Sequence, residues 1–188
     1  MSGKTAAVIG GGNVAYRKVK ALLAAGAELL VVAPEVIDEI SRLGKAGRVA
    51  VTLRHYQAGD LEGAFLAVAA TDDAGVNRQV VEDAGLQGKL ICVADAPDAG
   101  NCSFPALLRR GSIEVAVSTG GGCPTLAIEL RDLIADIITE GYEDVLGQLA
   151  EEREKLLTEG NSSTYNARVL RSLTRQLISA LNERKDTA

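Results

Sequence analysis

Three small residues stand at the spacing Gly10-x-Gly12-x-x-Ala15, directly after the apolar run Ala6 to Ile9. Residues in that pattern can bring a backbone against a phosphate. Gly10 permits a tight turn off a strand, Gly12 leaves room for a pyrophosphate, and Ala15 lets the next helix pack closely on the sheet. That helix would begin at Asn13 and Val14 and aim its free N–H groups and positive dipole end at the anion. The chemistry expected is therefore dinucleotide binding. A second glycine-rich turn, Thr119-Gly120-Gly121-Gly122-Cys123-Pro124, precedes another helical pattern and is a second place suited to an anion.

The elements that must position these residues follow from hydrophobic periodicity. Ala6–Ile9, Glu28–Val32, Val49–Arg54, Phe65–Ala70 and Leu90–Val93 read as strands. Helical patterns fill Val14–Ala25, Glu35–Lys45 and Ala74–Ala84, the last capped from Thr71-Asp72-Asp73. Alternating strands and helices imply an α/β fold with a Rossmann-like, doubly wound parallel sheet. Asn13, Val14, Thr71, Asp72 and Asp95 would all lie just past strand ends, where such sheets bind ligands. After residue 95 the pattern changes. A loop to Phe104 leads to a strand over Ile113–Ser118, then helices over Thr125–Thr139 and Glu143–Leu157, a break at Gly160–Ser163 and a last helix over Thr164–Glu183. The boundaries drawn from this are 1–111 for the nucleotide domain, 112–141 for a small strand-helix segment, and 142–188 for a helical C-terminal tail.

The usual acid at the end of the second strand, which binds the ribose, is missing. The strand runs Val31-Val32-Ala33-Pro34, and the first carboxylate is Glu35. Either Glu35 or backbone groups at Pro34 would meet the ribose. No Arg follows the strand directly, which favours NAD over NADP.

Composition narrows the class further. With 47% of its 188 residues apolar and 24% charged, the chain can bury an ordinary globular core. A net charge of −5 argues against a nucleic-acid partner, and the scarcity of aromatics, with no Trp, argues against base-stacking. No apolar stretch is long enough to span a membrane, and Met1-Ser2-Gly3-Lys4 leads straight into the first strand without a signal peptide, so the expectation is a cytoplasmic protein with no membrane partner. Cys92, Cys102 and Cys123 lack the spacing of a disulfide framework or a zinc knot. His55, the single histidine, reads as a surface or partly buried polar residue, and no metal site is expected.

The stretches Gly10-Gly-Gly-Asn-Val-Ala-Tyr-Arg-Lys18, Val32-Ala-Pro34, Ala70-Thr-Asp-Asp73 with Val76-Asn77, Val93-Ala-Asp-Ala-Pro97, Cys102-Ser-Phe104 and Val117-Ser-Thr-Gly-Gly-Gly-Cys-Pro124 stand in this order. Together they resemble the precorrin-2 dehydrogenase family of siroheme synthesis, across most of the chain. The resemblance implies NAD-dependent oxidation of precorrin-2 to sirohydrochlorin. Some members also insert ferrous iron to give siroheme, and the sequence leaves that second activity open. It further implies a homodimer held largely through the segment after the nucleotide domain, in the stand-alone form without a fused methyltransferase.

By the same resemblance, Gly10, Gly12, Asn13, Val14, Pro34 and Glu35 fall where the family holds NAD, with Thr71 and Asp72 beside them. Asp95, expected at a strand end and partly buried, becomes the candidate base. The tetrapyrrole substrate carries many carboxylates. Ser118, Gly120 and Gly121 of the second turn, with Arg109 and Arg131, are the candidates to hold them. Cys123 stands where the family often has Ser, and Cys92 opens a motif where Asn is frequent. Two other classes compete: an NAD-binding ligand-sensing regulatory module, and a dehydrogenase of small substrates. The sensor does not explain the second glycine turn or the motif around Asp95. The small-substrate dehydrogenase usually brings a His or Lys acid/base.

Overall fold

Continuous apolar runs favour strands covered on both faces, and five of them form one sheet in the computed structural model, which describes residues 1–158 and 163–186. They are β1 (Thr5–Ile9), β2 (Glu28–Ala33), β3 (Ala50–Leu53), β4 (Leu66–Ala69) and β5 (Leu90–Val93). All neighbours pair in parallel, in the order β3-β2-β1-β4-β5. Period-two side chains split the core in two. Ala6, Val8, Val31 and Val68 pack with Ala15, Val19 and Leu22 of α1 (Asn13–Ala24) and Ile40 of α2 (Asp38–Lys45). Ala7, Ile9, Val32, Ala67 and Ala69 face Val80 and Ala84 of α3 (Ala74–Leu86). The strand order reverses between β1 and β4, so the loops after these two strands part and leave a crevice at the carboxyl edge.

Two loops shape that edge. After β3, Arg54 donates two hydrogen bonds to Asp60, at 2.8 and 2.5 Å, and the Gln57 N–H donates to the same carboxylate at 2.8 Å. This closes the turn that carries His55 and Tyr56. After β5, the Asn101 side chain completes the open edge of the sheet: its Oδ1 accepts from the Ile91 N–H at 2.8 Å and its Nδ2 donates to the Lys89 carbonyl at 3.1 Å. The segment holding Asp95 is thereby folded back against β5.

The chain divides into two compact units, 1–104 and 105–188, which differs from the boundaries drawn at 111 and 141. The reason is a strand that the sequence reading treats as a lead-in. Residues Ala106–Arg110 form β6, paired antiparallel with β7 (Ile113–Val117) through a two-residue Gly111-Ser112 turn. Gly111 takes φ +53°, which suits glycine in such a hairpin. Within this unit α4 (Pro124–Ile137) packs on the hairpin, and α5 (Gly141–Thr158) pairs with α6 (Ser163–Asp186). The expected break at Gly160–Ser163 falls mostly outside the described residues, and Ser163 already belongs to α6. Among the described residues no helix is long and apolar enough to cross a membrane.

The Asp60 carboxyl is held below the usual carboxylate range, first by the Arg54 bond and then by the Gln57 N–H, against the opposing effect of burial. A lowered folded-state pKa stabilises the protein above the unfolded value of about 4, and that stabilisation disappears as pH falls through the folded value. Asp60→Asn should therefore lower the melting temperature at neutral pH, and the gap to wild type should close on titration below about pH 4. A gap independent of pH in calorimetry would contradict this.

Candidate functional site

Backbone geometry builds the crevice before any side chain enters it. Gly10 has φ +130°, and a Cβ there would collide with the Ala70 carbonyl after β4. A Cβ on Gly11 would collide with the Glu35 carbonyl after β2. Both glycines are required by the fold itself. Gly12 is different. Its φ of −89° suits any residue, and a Cβ there would meet no protein atom within 4 Å. It is also the N-cap of α1, with no side-chain cap and no acid in the first turn. The opening N–H groups of the helix thus have no side-chain partner and face open space, an arrangement that fits an anion.

The crevice has a volume of about 660 Å³. It brings together Gly10, Gly12, Asn13, Val14, Pro34, Glu35, Thr71 and Asp72, all eight of the expected cofactor residues. Gly11, Ala33, Asp73 and Val76 add to the lining. So do His55, which the sequence presents as an ordinary polar residue, and its neighbour Tyr56. They arrive because β3 lies beside β2, so its carboxyl end opens onto the same edge. Burial, reinforced by a 2.9 Å hydrogen bond donated to Asp83, pushes the Tyr56 phenol above its ordinary range, so it remains a neutral donor.

Asp95 stands beside this lining, two residues past β5, and is exposed rather than partly buried. It is tied to the crevice through Asn77, which reaches both Asp95 and Thr71. Thr71 in turn shapes its own loop: its hydroxyl accepts from the Asp73 N–H at 3.2 Å, and Asp73 Oδ1 caps α3 by accepting from the Gly75 and Val76 N–H groups at 2.7 and 3.2 Å.

The expected substrate residues all lie in the second unit. Arg109, on β6, faces Glu114 across the hairpin with its Nε 2.7 Å from that carboxylate. Arg131, on α4, pairs with Asp132 at 2.6 Å. Ser118, Gly120 and Gly121 form the turn between β7 and α4, with Gly120 and Gly121 at φ +62° and +87°. The Gly120 N–H donates to Ser118 Oγ at 3.2 Å, and Thr119 bonds in both directions with the Cys123 backbone. Among these candidates the turn remains exposed for a ligand, whereas both arginines already face carboxylates.

The family described as "Putative NAD(P)-binding" matches residues 1–106. The "Siroheme synthase" of Pseudomonas entomophila is 41% identical over 83% of this chain, and that of Chromobacterium violaceum 44% identical over 72%. The matched regions cover 34% and 29% of those proteins, so the chain spans about a third of their length. A solved structure titled "SirC, precorrin-2 dehydrogenase" superposes with a TM-score of 0.77 and 26% identity, covering 97% of this chain and 96% of the other.

Gly12→Thr separates the fold's needs from the ligand's. Threonine caps helices about as well as glycine, so the melting temperature should stay close to wild type. NAD affinity should nevertheless fall at least about tenfold, because the side chain enters the space left for phosphate. Unchanged affinity in a titration would show that the dinucleotide binds elsewhere.

Proposed function

Because the chain belongs to the NAD(P)-binding, precorrin-2 dehydrogenase family, we propose that it oxidises precorrin-2 to sirohydrochlorin. The observation that carries this reading is the open Gly12 position at the uncapped start of α1, in a crevice tied through Asn77 to the Asp95 carboxylate. Nicotinamide, when bound, accepts the hydride. The first-turn N–H groups of α1 hold the pyrophosphate, and the lining at Ala33, Pro34 and Glu35 receives the adenosine ribose. NAD is the form favoured there: Glu35 would repel a 2′-phosphate, and the nearby Arg54 is engaged by Asp60.

The oxidation removes one hydride and one proton from the macrocycle. Asp95 takes the proton, in keeping with its position just past β5 and its exposure to an incoming substrate. Where ferrous iron is a second substrate, the same carboxylate would take the pyrrole protons. The turn at Ser118, Gly120 and Gly121 holds substrate carboxylates through its backbone N–H groups, and Arg109 and Arg131 reach substrate only by leaving their present partners. The working form is a homodimer. Exposed Leu126, Leu130, Leu133 and Ile137 give α4 an apolar face of the kind that a second copy covers. Three free cysteines suit the reducing cytoplasm.

Asp95→Ala should bind NAD with wild-type affinity and form NADH from precorrin-2 at least about a hundredfold more slowly, the order expected for losing a general base. Wild-type turnover by this variant in anaerobic single-turnover assays would remove Asp95 from the mechanism.

A further inference from the structure

Among the described residues, the side chain of Asn77 is the one buried amide that joins the crevice to the candidate base. Only 4% of Asn77 is exposed, and it sits in the first turns of α3, where asparagine is a poor helix former. Its Oδ1 accepts from the Thr71 N–H at 3.2 Å and from the Thr71 hydroxyl at 2.8 Å. Its Nδ2 donates to the Thr71 carbonyl at 3.0 Å and to Asp95, with Oδ1 at 3.3 Å and Oδ2 at 3.5 Å. An amide has two acceptor sites and two N–H donors, so this side chain is fully used.

Chemistry alone fixes the orientation of that amide. The Thr71 N–H can only donate, whereas the Thr71 carbonyl and an ionised Asp95 can only accept. A flipped amide would set donor against donor at Thr71 and acceptor against acceptor at Asp95. The position follows from the sheet. β4 and β5 are in register at Ala69 and Val93, and a last bond joins the Ala94 N–H to the Ala69 carbonyl at 2.9 Å. Thr71 and Asp95 lie two residues past these ends, and Asn77 fills the gap between them. Among the described residues, Asn77 is the one hydrogen-bond donor to the Asp95 carboxylate.

We infer that Asn77 is a positioning residue for precorrin-2 oxidation: it aligns the Asp95 carboxylate with the Thr71 loop that lines the dinucleotide crevice. The inference rests on the reading of Asp95 as the base. An exposed aspartate without this tie would sample several rotamers. A displacement of about 1 Å at a reacting group can cost about a hundredfold in rate. With only 4% of its surface exposed, Asn77 is placed to act through Asp95 rather than on a ligand. Its loss should therefore appear in kcat at saturating NAD.

A double-mutant cycle tests this. Asn77→Asp keeps an acceptor for the Thr71 N–H but loses the donor to the Thr71 carbonyl and to Asp95, and it sets a like charge beside Asp95. Asn77→Ser keeps a short acceptor that cannot span to Asp95. Each is measured alone and with Asp95→Ala, in anaerobic single turnovers with enzyme in excess, alongside NAD affinity and KM for precorrin-2. In the otherwise wild-type protein, both substitutions should slow NADH formation about tenfold or more at saturating NAD, with KM for precorrin-2 within about twofold. In the Asp95→Ala protein, the same substitutions should change the residual rate by less than about twofold. An equal loss in both backgrounds, or no loss in either, would overturn the positioning role while leaving Asp95 as base. Wild-type turnover by Asp95→Ala itself would overturn the base and, with it, this inference. If Asn77→Asp fails to fold, the Asn77→Ser arm decides by the same comparison.

Discussion

The turn after β1 runs between two other pieces of backbone with no room for side chains. On one side a Cβ on Gly10 would collide with the Ala70 carbonyl, and on the other a Cβ on Gly11 would collide with the Glu35 carbonyl. The Gly10 N–H also donates to the Val32 carbonyl at 2.9 Å, and the Ile37 N–H to the Gly11 carbonyl at 2.9 Å. This wedge fixes the separation of the loops after β2 and β4 and thereby the width of the crevice. It also sets where α1 starts, and so where its uncapped N–H groups point. The two glycines at closest approach serve the fold, and the third, Gly12, leaves open space at the start of α1.

Chemistry is then added at low cost in new structure. The same strand order that opens the crevice brings the ends of β4 and β5 side by side, so one buried amide spans from the cofactor side to the candidate base. The loop carrying Asp95 is held by the Asn101 side chain, which covers the sheet edge as a further strand would. The second unit repeats the device of a glycine-rich turn before a helix. Pro124 stands at the first helical position of α4, and Cys123 at its N-cap supplies no side-chain bond.

Much of this architecture is legible in the sequence because it depends on local signals. Unbroken apolar runs mark the buried strands, and the spacing of Gly10, Gly12 and Ala15 marks the cradle. What escaped depends on which strands become neighbours. His55 and Tyr56 enter the crevice through the pairing of β3 with β2, which no local pattern announces. The exposure of Asp95 depends on how its loop folds back on β5. β6 escaped for a different reason: its apolar run, Ala106-Leu107-Leu108, is short and ends in two arginines, although the Gly111-Ser112 turn after it is a recognisable hairpin signal. Arg109 and Arg131, the sequence's candidates to hold substrate carboxylates, face carboxylates of the chain itself, Glu114 by cross-strand register and Asp132 by adjacency.

The most direct test of the central claim is the reaction of the intact protein. Purified chain is mixed anaerobically with precorrin-2 and NAD, and the absorbance of NADH and of sirohydrochlorin is followed together. The account predicts that both appear at the same rate and in equal amounts, with NADP supporting the reaction more slowly. Binding of NAD without formation of either product would contradict it, and would identify the crevice as a site that senses the dinucleotide without using it.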